Sequence, residues 1–241
     1  MIKVFSSIES LCIEAMELFI SLAEKNITAN GRFTVAFAGG RTPNVLYTML
    51  AKPKNANRVD WKNLFVFWGD ERYVDFDNAE NNSFQAKQHL LNHVPIPEEN
   101  MFRIPVNGDY VADALAYQHI IREFFGTAIP SFDLIFLGMG DEAHTASIFP
   151  GSSLLLETDS IVKDIYVELK QMQRISFTPP LINAAKEIVF MVTGTEKAPA
   201  LKEVLEGSYN PELYPAQIVK PVNGNISWLV DESAAGSLHS L

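Results

Sequence analysis

His144 follows two acids in the stretch GMGDEAHTASIFPG (Gly138–Gly151). An imidazole titrates near neutrality, so a positioned histidine can take and return a proton at physiological pH. Asp141 or Glu142 could hold its ring in one tautomer. The alternative is a histidine capping a helix that starts here, and the stretch alone leaves both open. A second charged group, Asp70-Glu71-Arg72, directly follows the apolar run LFVFW. An acid there can orient a base or a substrate hydroxyl, and an arginine can hold a phosphate or an oxyanion. A surface salt-bridge cluster is the plainer reading. In AGGRTPNVLY, Gly39 and Gly40 leave another apolar run, and Pro43 suits a first helical turn with Thr42 as cap. Backbone N–H groups at such a turn can face an anion. An ordinary tight strand–helix turn explains the same residues. Arg174 opens RISFT and Lys197 opens a helix after VTGTE. Each is a solvated charge unless these strands end at the same sheet edge as the other three, where both would reach a phosphate.

Other chemistries fit less well. Gly138-Met139-Gly140 with Ala143 matches a dinucleotide fingerprint, and Asp159 lies at about the required distance. That motif needs a full helix after the glycines, and Pro150-Gly151 leaves room for about two turns. No P-loop, H-E-x-x-H or G-x-S-x-G pattern occurs. His89 and His93 stand one helical turn apart without a third metal ligand in view.

The elements that must position these groups are legible from periodicity. Apolar residues at Ile8, Leu11, Cys12, Ala15, Leu18, Phe19 and Leu22 have helical spacing. Cys12 falls on the core face and reads as a packed thiol. Further helices are expected over Ser83 to Leu91, over YVADALAYQHIIREFF, at PLINAAK and at KAPALKEVLEG. Strands are expected at FTVAF, LFVFW, DLIFLG, RISFT, EIVFMV and ISWLV, with residues 2–5 as a short strand or arm. Near-continuous apolar strands alternating with helices predict one α/β domain over residues 1–241, a Rossmann-like, mostly parallel sheet covered by helices on both faces. Ligands of such sheets bind beyond the carboxyl ends of the strands. AGGRTP, GDER and GMGDEAHT all fall at such ends.

The formal net charge of −10 argues against a nucleic-acid partner, which needs a basic face. It does not exclude an anionic small molecule held by a few local donors. No apolar run approaches a membrane span, and the opening MIKVFSSIES lacks the apolar stretch of a signal peptide. One cysteine in the chain suits a reducing compartment. The expected setting is the cytoplasm, with no membrane partner, as a monomer or small homo-oligomer.

Taken in order, AGGRTP, GDER, NNS, DLIFLGMGDEAHTASIFPG, RISFTPPLINAAKEIVFMVTGTEKAPAL and ISWLVD resemble the 6-phosphogluconolactonases, which group with the glucosamine-6-phosphate deaminases/isomerases. The likeness runs from about Phe33 to Asp231. It implies a Rossmann-like sheet without a nucleotide. It implies hydrolysis of 6-phospho-D-glucono-1,5-lactone to 6-phosphogluconate, the second step of the oxidative pentose phosphate pathway, with no metal or organic cofactor. By position, Gly39, Gly40 and Thr42 would receive the phosphate and Arg174 and Lys197 would close on it. Asp70 and Arg72 would lie near the sugar ring. His144 would be the base, with Glu142 orienting it.

This chain departs from the family pattern in places. Glu142 and Ala143 stand where the family usually has Asp and Gly, so a positive φ at 143 would be strained and either Asp141 or Glu142 could partner His144. Ala38 and Arg41 replace two hydroxyl residues of the phosphate turn, which exchanges two hydroxyl donors for one charged donor. The deaminases place a glutamate five residues after their histidine, where this chain has Phe149. That favours the lactonase over the deaminase. A non-catalytic sugar-phosphate sensor is a further alternative.

Overall fold

The computed structural model describes residues 1–127 and 129–239. In chain order its elements are β1 (Ile2–Phe5), α1 (Ile8–Asn30), β2 (Phe33–Phe37), α2 (Arg41–Leu50), α3 (Pro53–Ala56), β3 (Leu64–Trp68), β4 (Asp70–Arg72), α4 (Asn82–His89), β5 (Met101–Phe102), α5 (Tyr110–Phe125), β6 (Leu134–Leu137), β7 (Val162–Val167), β8 (Met172–Phe177), α6 (Pro179–Asn183), β9 (Glu187–Val192), α7 (Ala198–Glu206), β10 (Asn225–Asp231) and α8 (Glu232–Ala235). Seven strands form a wholly parallel sheet in the order β1-β10-β9-β6-β2-β3-β5. Among the described residues, no helix is long and apolar enough to cross a membrane.

Pairing register sorts the side chains of this sheet to its two faces. Ala36 stands opposite Phe67 and Phe37 opposite Trp68, so Phe33 and Phe37 project from one face and Phe65 and Phe67 from the other. Phe19 of α1 packs against Phe33, Phe37 and Phe136. On the opposite face Phe124 and Phe125 of α5 meet Phe67, and Phe132 joins them. Helices thus cover both faces, which is why these strands read as continuous apolar runs. Helix α1 starts at a capping box between Ser7 and Ser10 and stops at Gly31, whose φ of 74° a side chain would disfavour. Cys12 is buried with its thiol on the Thr42 carbonyl, and burial pushes that thiol up to about 11.

A second sheet departs from the expected arrangement. Strand β8, the RISFT segment, pairs antiparallel with both β4 and β7 and lies outside the parallel sheet. Asp70, Glu71 and Arg72 of GDER are themselves strand β4. Strand β7 is buried only at its two ends, Val162 and Val167, so it lacks the continuous apolar run by which the others are legible. Gly69 joins the two sheets. Its N–H donates to Phe37 of the large sheet and its carbonyl accepts from Phe177 of the small one. Behind this junction the Tyr117 hydroxyl donates to the Trp68 carbonyl and accepts from the Trp68 N–H.

Candidate active site

The carboxyl ends of β2, β3 and β6 and one face of the small sheet surround a cavity of about 350 Å³. Gly39, Gly40, Arg41, Thr42, Asp70, Arg72, His144, Arg174 and Lys197 all line it. Glu142 is the one expected site residue set behind the lining. Its Oε2 lies 3.1 Å from His144 Nδ1, while Lys170 approaches its other oxygen at 3.3 Å. Asp141 is largely exposed and sits 3.8 Å from Lys197. The acid beside His144 is therefore Glu142.

No helix follows the glycines of this loop, so His144 is not a helix cap and the dinucleotide reading has no support. Residues 138–152 form tight turns in which Thr145 and Ile148 bridge. Ala143 and Ala146 both take positive φ, 61° and 47°. That conformation costs a residue with a Cβ about 1–2 kcal/mol. The strain foreseen at Ala143 is real. Phe149 stacks on the imidazole at 3.9 Å between centroids and 15° between planes, and the Arg174 guanidinium covers Phe149. The ring plane of His144 is thus fixed by stacking. Nδ1 is buried on the Glu142 side, which leaves Nε2 for the cavity. Burial alone would raise the Glu142 carboxyl, but the His144 imidazole 3.1 Å away outweighs that and holds it well below the usual carboxylate range. At neutral pH Glu142 is an anion beside the imidazole.

Gly140 is small because this pair rests on it. A Cβ there would stand 2.0 Å from His144 Nδ1 and 2.5 Å from Glu142 Oε2. Gly140→Ala is expected to lower kcat at least tenfold and to cost about 1–3 kcal/mol by overpacking. Steady-state kinetics and urea unfolding would check both, and an unaltered kcat would show that the pair tolerates displacement.

Arg174 is the third residue of β8 rather than its first, and it stands opposite Arg72 in the pairing register. Its Nη1 is 3.7 Å from Asp70 Oδ2. The same oxygen accepts the Ser147 hydroxyl at 2.7 Å. The Nε of Arg174 is buried without a hydrogen-bond partner, while the side chain lines the cavity. Burial lowers the guanidinium below its ordinary value, with Asp70 opposing that shift. Arg72 donates from Nη1 to the Glu80 carbonyl at 2.6 Å. Lys197 comes from the turn just before α7. Helix α2 starts after Gly40, at φ 112°, without a side-chain cap. Thr42 is therefore not the cap, and its hydroxyl shares a 2.7 Å hydrogen bond with Thr193. Thr193, Ser147 and Asn82 belong to this constellation and were not foreseen. Thr193 stands one residue past β9, a position that could have flagged it. Ser147 and Asn82 become visible only once the second sheet is placed.

Glu71 points away from the cavity and is almost wholly buried. Burial raises its carboxyl from 4.5 to about 8, the N–H groups of Asn82, Ser83 and Arg72 draw it down, and Asp70 adds an upward push. A carboxyl raised on folding keeps its proton where the unfolded chain has lost it. Its contribution is then complete below 4.5 and is lost as pH rises toward 8. Wild-type stability is expected to decline from pH 5 to 8 relative to Glu71→Gln in parallel urea titrations. The opposite trend would show the N–H donors prevailing over burial.

Among the described residues, no group of three or more His, Cys, Asp or Glu is placed to hold a metal ion. His89 Nδ1 meets Thr48, and His93 Nε2 meets the Gln88 carbonyl.

Fold and cavity together define an α/β protein with a histidine–carboxylate pair facing a cationic, glycine-edged pocket. A family model described as glucosamine-6-phosphate isomerases/6-phosphogluconolactonase matches residues 6–228, and the chain belongs to that family. It is 36% identical to a 6-phosphogluconolactonase of Nostoc sp., over 98% of each chain. It is 39% identical to one of Synechocystis sp., over 89% of this chain and 88% of the relative. The solved structure of a 6-phosphogluconolactonase from Trypanosoma cruzi matches with a TM-score of 0.89 at 28% identity, covering 99% of this chain and 97% of that one. A monomeric glucosamine-6-phosphate deaminase shares the fold, with a TM-score of 0.84 at 19% identity over 98% and 99% of the two chains.

Proposed function

We propose that this chain hydrolyses 6-phospho-D-glucono-1,5-lactone to 6-phosphogluconate, with His144 as general base. The observation that carries the base assignment is the imidazole itself. It is stacked on Phe149, backed at Nδ1 by an ionised Glu142, and leaves Nε2 facing a pocket edged by Gly39-Gly40, Arg174 and Lys197. Nε2 takes a proton from water as the water attacks the lactone carbonyl. The carbonyl oxygen becomes an oxyanion, met by Arg72 or a backbone N–H. The ring C–O bond then breaks, and the imidazolium returns its proton to the leaving hydroxyl. Gly39, Gly40, Arg41 and Thr42 receive the phosphate. Arg174 and Lys197 close on it, Lys197 from the α7 side. Asp70 holds Arg174 and faces the sugar ring. The reaction needs no metal or organic cofactor, and its setting is the cytoplasm, as a monomer or small homo-oligomer.

The deaminase alternative needs a carboxylate where Phe149 stacks on the histidine, and an aromatic ring cannot assist sugar-ring opening by proton transfer. The deciding assay makes the lactone in situ, reads 6-phosphogluconate with a coupled dehydrogenase and subtracts spontaneous hydrolysis. Acceleration by the protein, with glucosamine-6-phosphate unchanged, is the expected result. Equal rates with and without protein would overturn the assignment. Phosphosugar binding without turnover would turn it into a sensor.

A further inference from the structure

We propose that Glu71 is a positioning residue for the phosphate turn and acts through Asn82. This rests on the reading above that Gly39–Thr42 receives the substrate phosphate. Glu71 sits on β4 between Asp70 and Arg72, whose side chains reach the cavity, and alternation along the strand turns Glu71 to the other side. There its Oε1 accepts the N–H groups of Asn82 at 2.6 Å and Arg72 at 2.9 Å, and its Oε2 accepts that of Ser83 at 2.9 Å. Asn82 and Ser83 are the first two residues of α4, where backbone N–H groups have no partner within the helix. The Glu71 side chain therefore ties the start of α4 to the strand that carries Asp70.

Asn82 carries this tie to the pocket. It is 2% exposed and lines the cavity. Its Nδ2 donates to the Asp70 carbonyl at 2.9 Å. Its Oδ1 is buried without a hydrogen-bond partner and fills the place of a side chain on Gly39, 1.8 Å from where a Cβ would stand. An unpartnered buried amide oxygen is costly, so packing alone is a poor reason to hold one here. The amide braces Gly39, and with it the turn whose N–H groups meet the anion. A shift of α4 would move Asn82 and release that brace. NNS and GDER, distant in sequence, become one device.

The test is Glu71→Gln with inorganic phosphate as a competitive probe. The amide nitrogen must face at least one of the three N–H donors and push α4 away. The expected result is a rise of about tenfold in KM and a parallel rise in the inhibition constant for phosphate, with kcat and its pH dependence little changed. A second route avoids the buried acid. Gly39→Ala should raise KM, and adding Asn82→Ala should recover part of the loss because the methyl then has room, a non-additive pair. A Glu71→Gln protein with a lowered melting temperature but unchanged KM and phosphate inhibition would reduce Glu71 to a helix cap and overturn the proposal. Additive effects at Gly39 and Asn82 would do the same if Glu71→Gln fails to fold. A wild type that is active but indifferent to phosphate would remove the role assigned to the turn itself. Wild-type sensitivity shared unchanged by Glu71→Gln would sink this proposal alone.

Discussion

His144→Ala is expected to lower kcat for lactone hydrolysis by about 10²–10⁴-fold, the usual worth of a positioned acid–base group. KM should change little, because the phosphate contacts assigned to Gly39, Gly40, Arg174 and Lys197 lie elsewhere around the cavity. Uncatalysed hydrolysis sets a floor, so the loss must be read from rates corrected for it at high enzyme concentration. Stability should fall modestly as the Phe149 ring loses its stacked neighbour. A variant that keeps most of its kcat would show that water is activated by another group, and Asp70 would become the leading candidate.

The second large effect is on stability. Asp70 Oδ2 receives the Ser147 hydroxyl and faces the buried Arg174 guanidinium. Asp70→Asn keeps the shape and removes the charge, which leaves a buried cation without its counter-ion. Breaking such a pair from one side costs about 3 kcal/mol, measurable as a shift in the urea midpoint. Arg174→Met in the same chain should restore much of that loss, because the double variant buries no lone charge. It should not restore KM, since the guanidinium assigned to the substrate phosphate is gone from the cavity lining. If Asp70→Asn unfolds at the wild-type midpoint, solvent in the cavity already neutralises Arg174 and the pair contributes little.

The readable and unreadable parts of this chain divide along physical lines. Helices α1 and α5 and the strands of the parallel sheet announce themselves through periodicity, because each buries a stripe or a whole segment. The small sheet does not. RISFT is recognisable as a strand, but nothing local says that it turns back against GDER in antiparallel pairing. VKDIYV is buried only at its ends and solvated between them. Missing that sheet hid the contact of Arg174 with Asp70 and the place of Ser147 beside Asp70. The residue types around the cavity were legible because phosphate and proton transfer demand few kinds of side chain. The partner of His144 was not, because Asp141 and Glu142 are adjacent and only the backbone turn at Ala143 decides which faces the ring. Thr42 shows the same limit, since a glycine at φ 112° starts the helix without a side-chain cap.

The junction at Gly69 bears on how molecules enter and leave. One residue spends its N–H on the parallel sheet and its carbonyl on the antiparallel one, and the chain crosses between them without slack. Tyr117 pins the preceding residue from behind. The two halves of the pocket are therefore joined at Gly69 by hydrogen-bonded backbone with no loop between them. Entry and release fall to side chains at the mouth, with Lys197 and Asp141 facing each other there. Rotamer changes run on a far shorter clock than hinge motion, so entry and release would leave the chemical step at His144 to pace turnover.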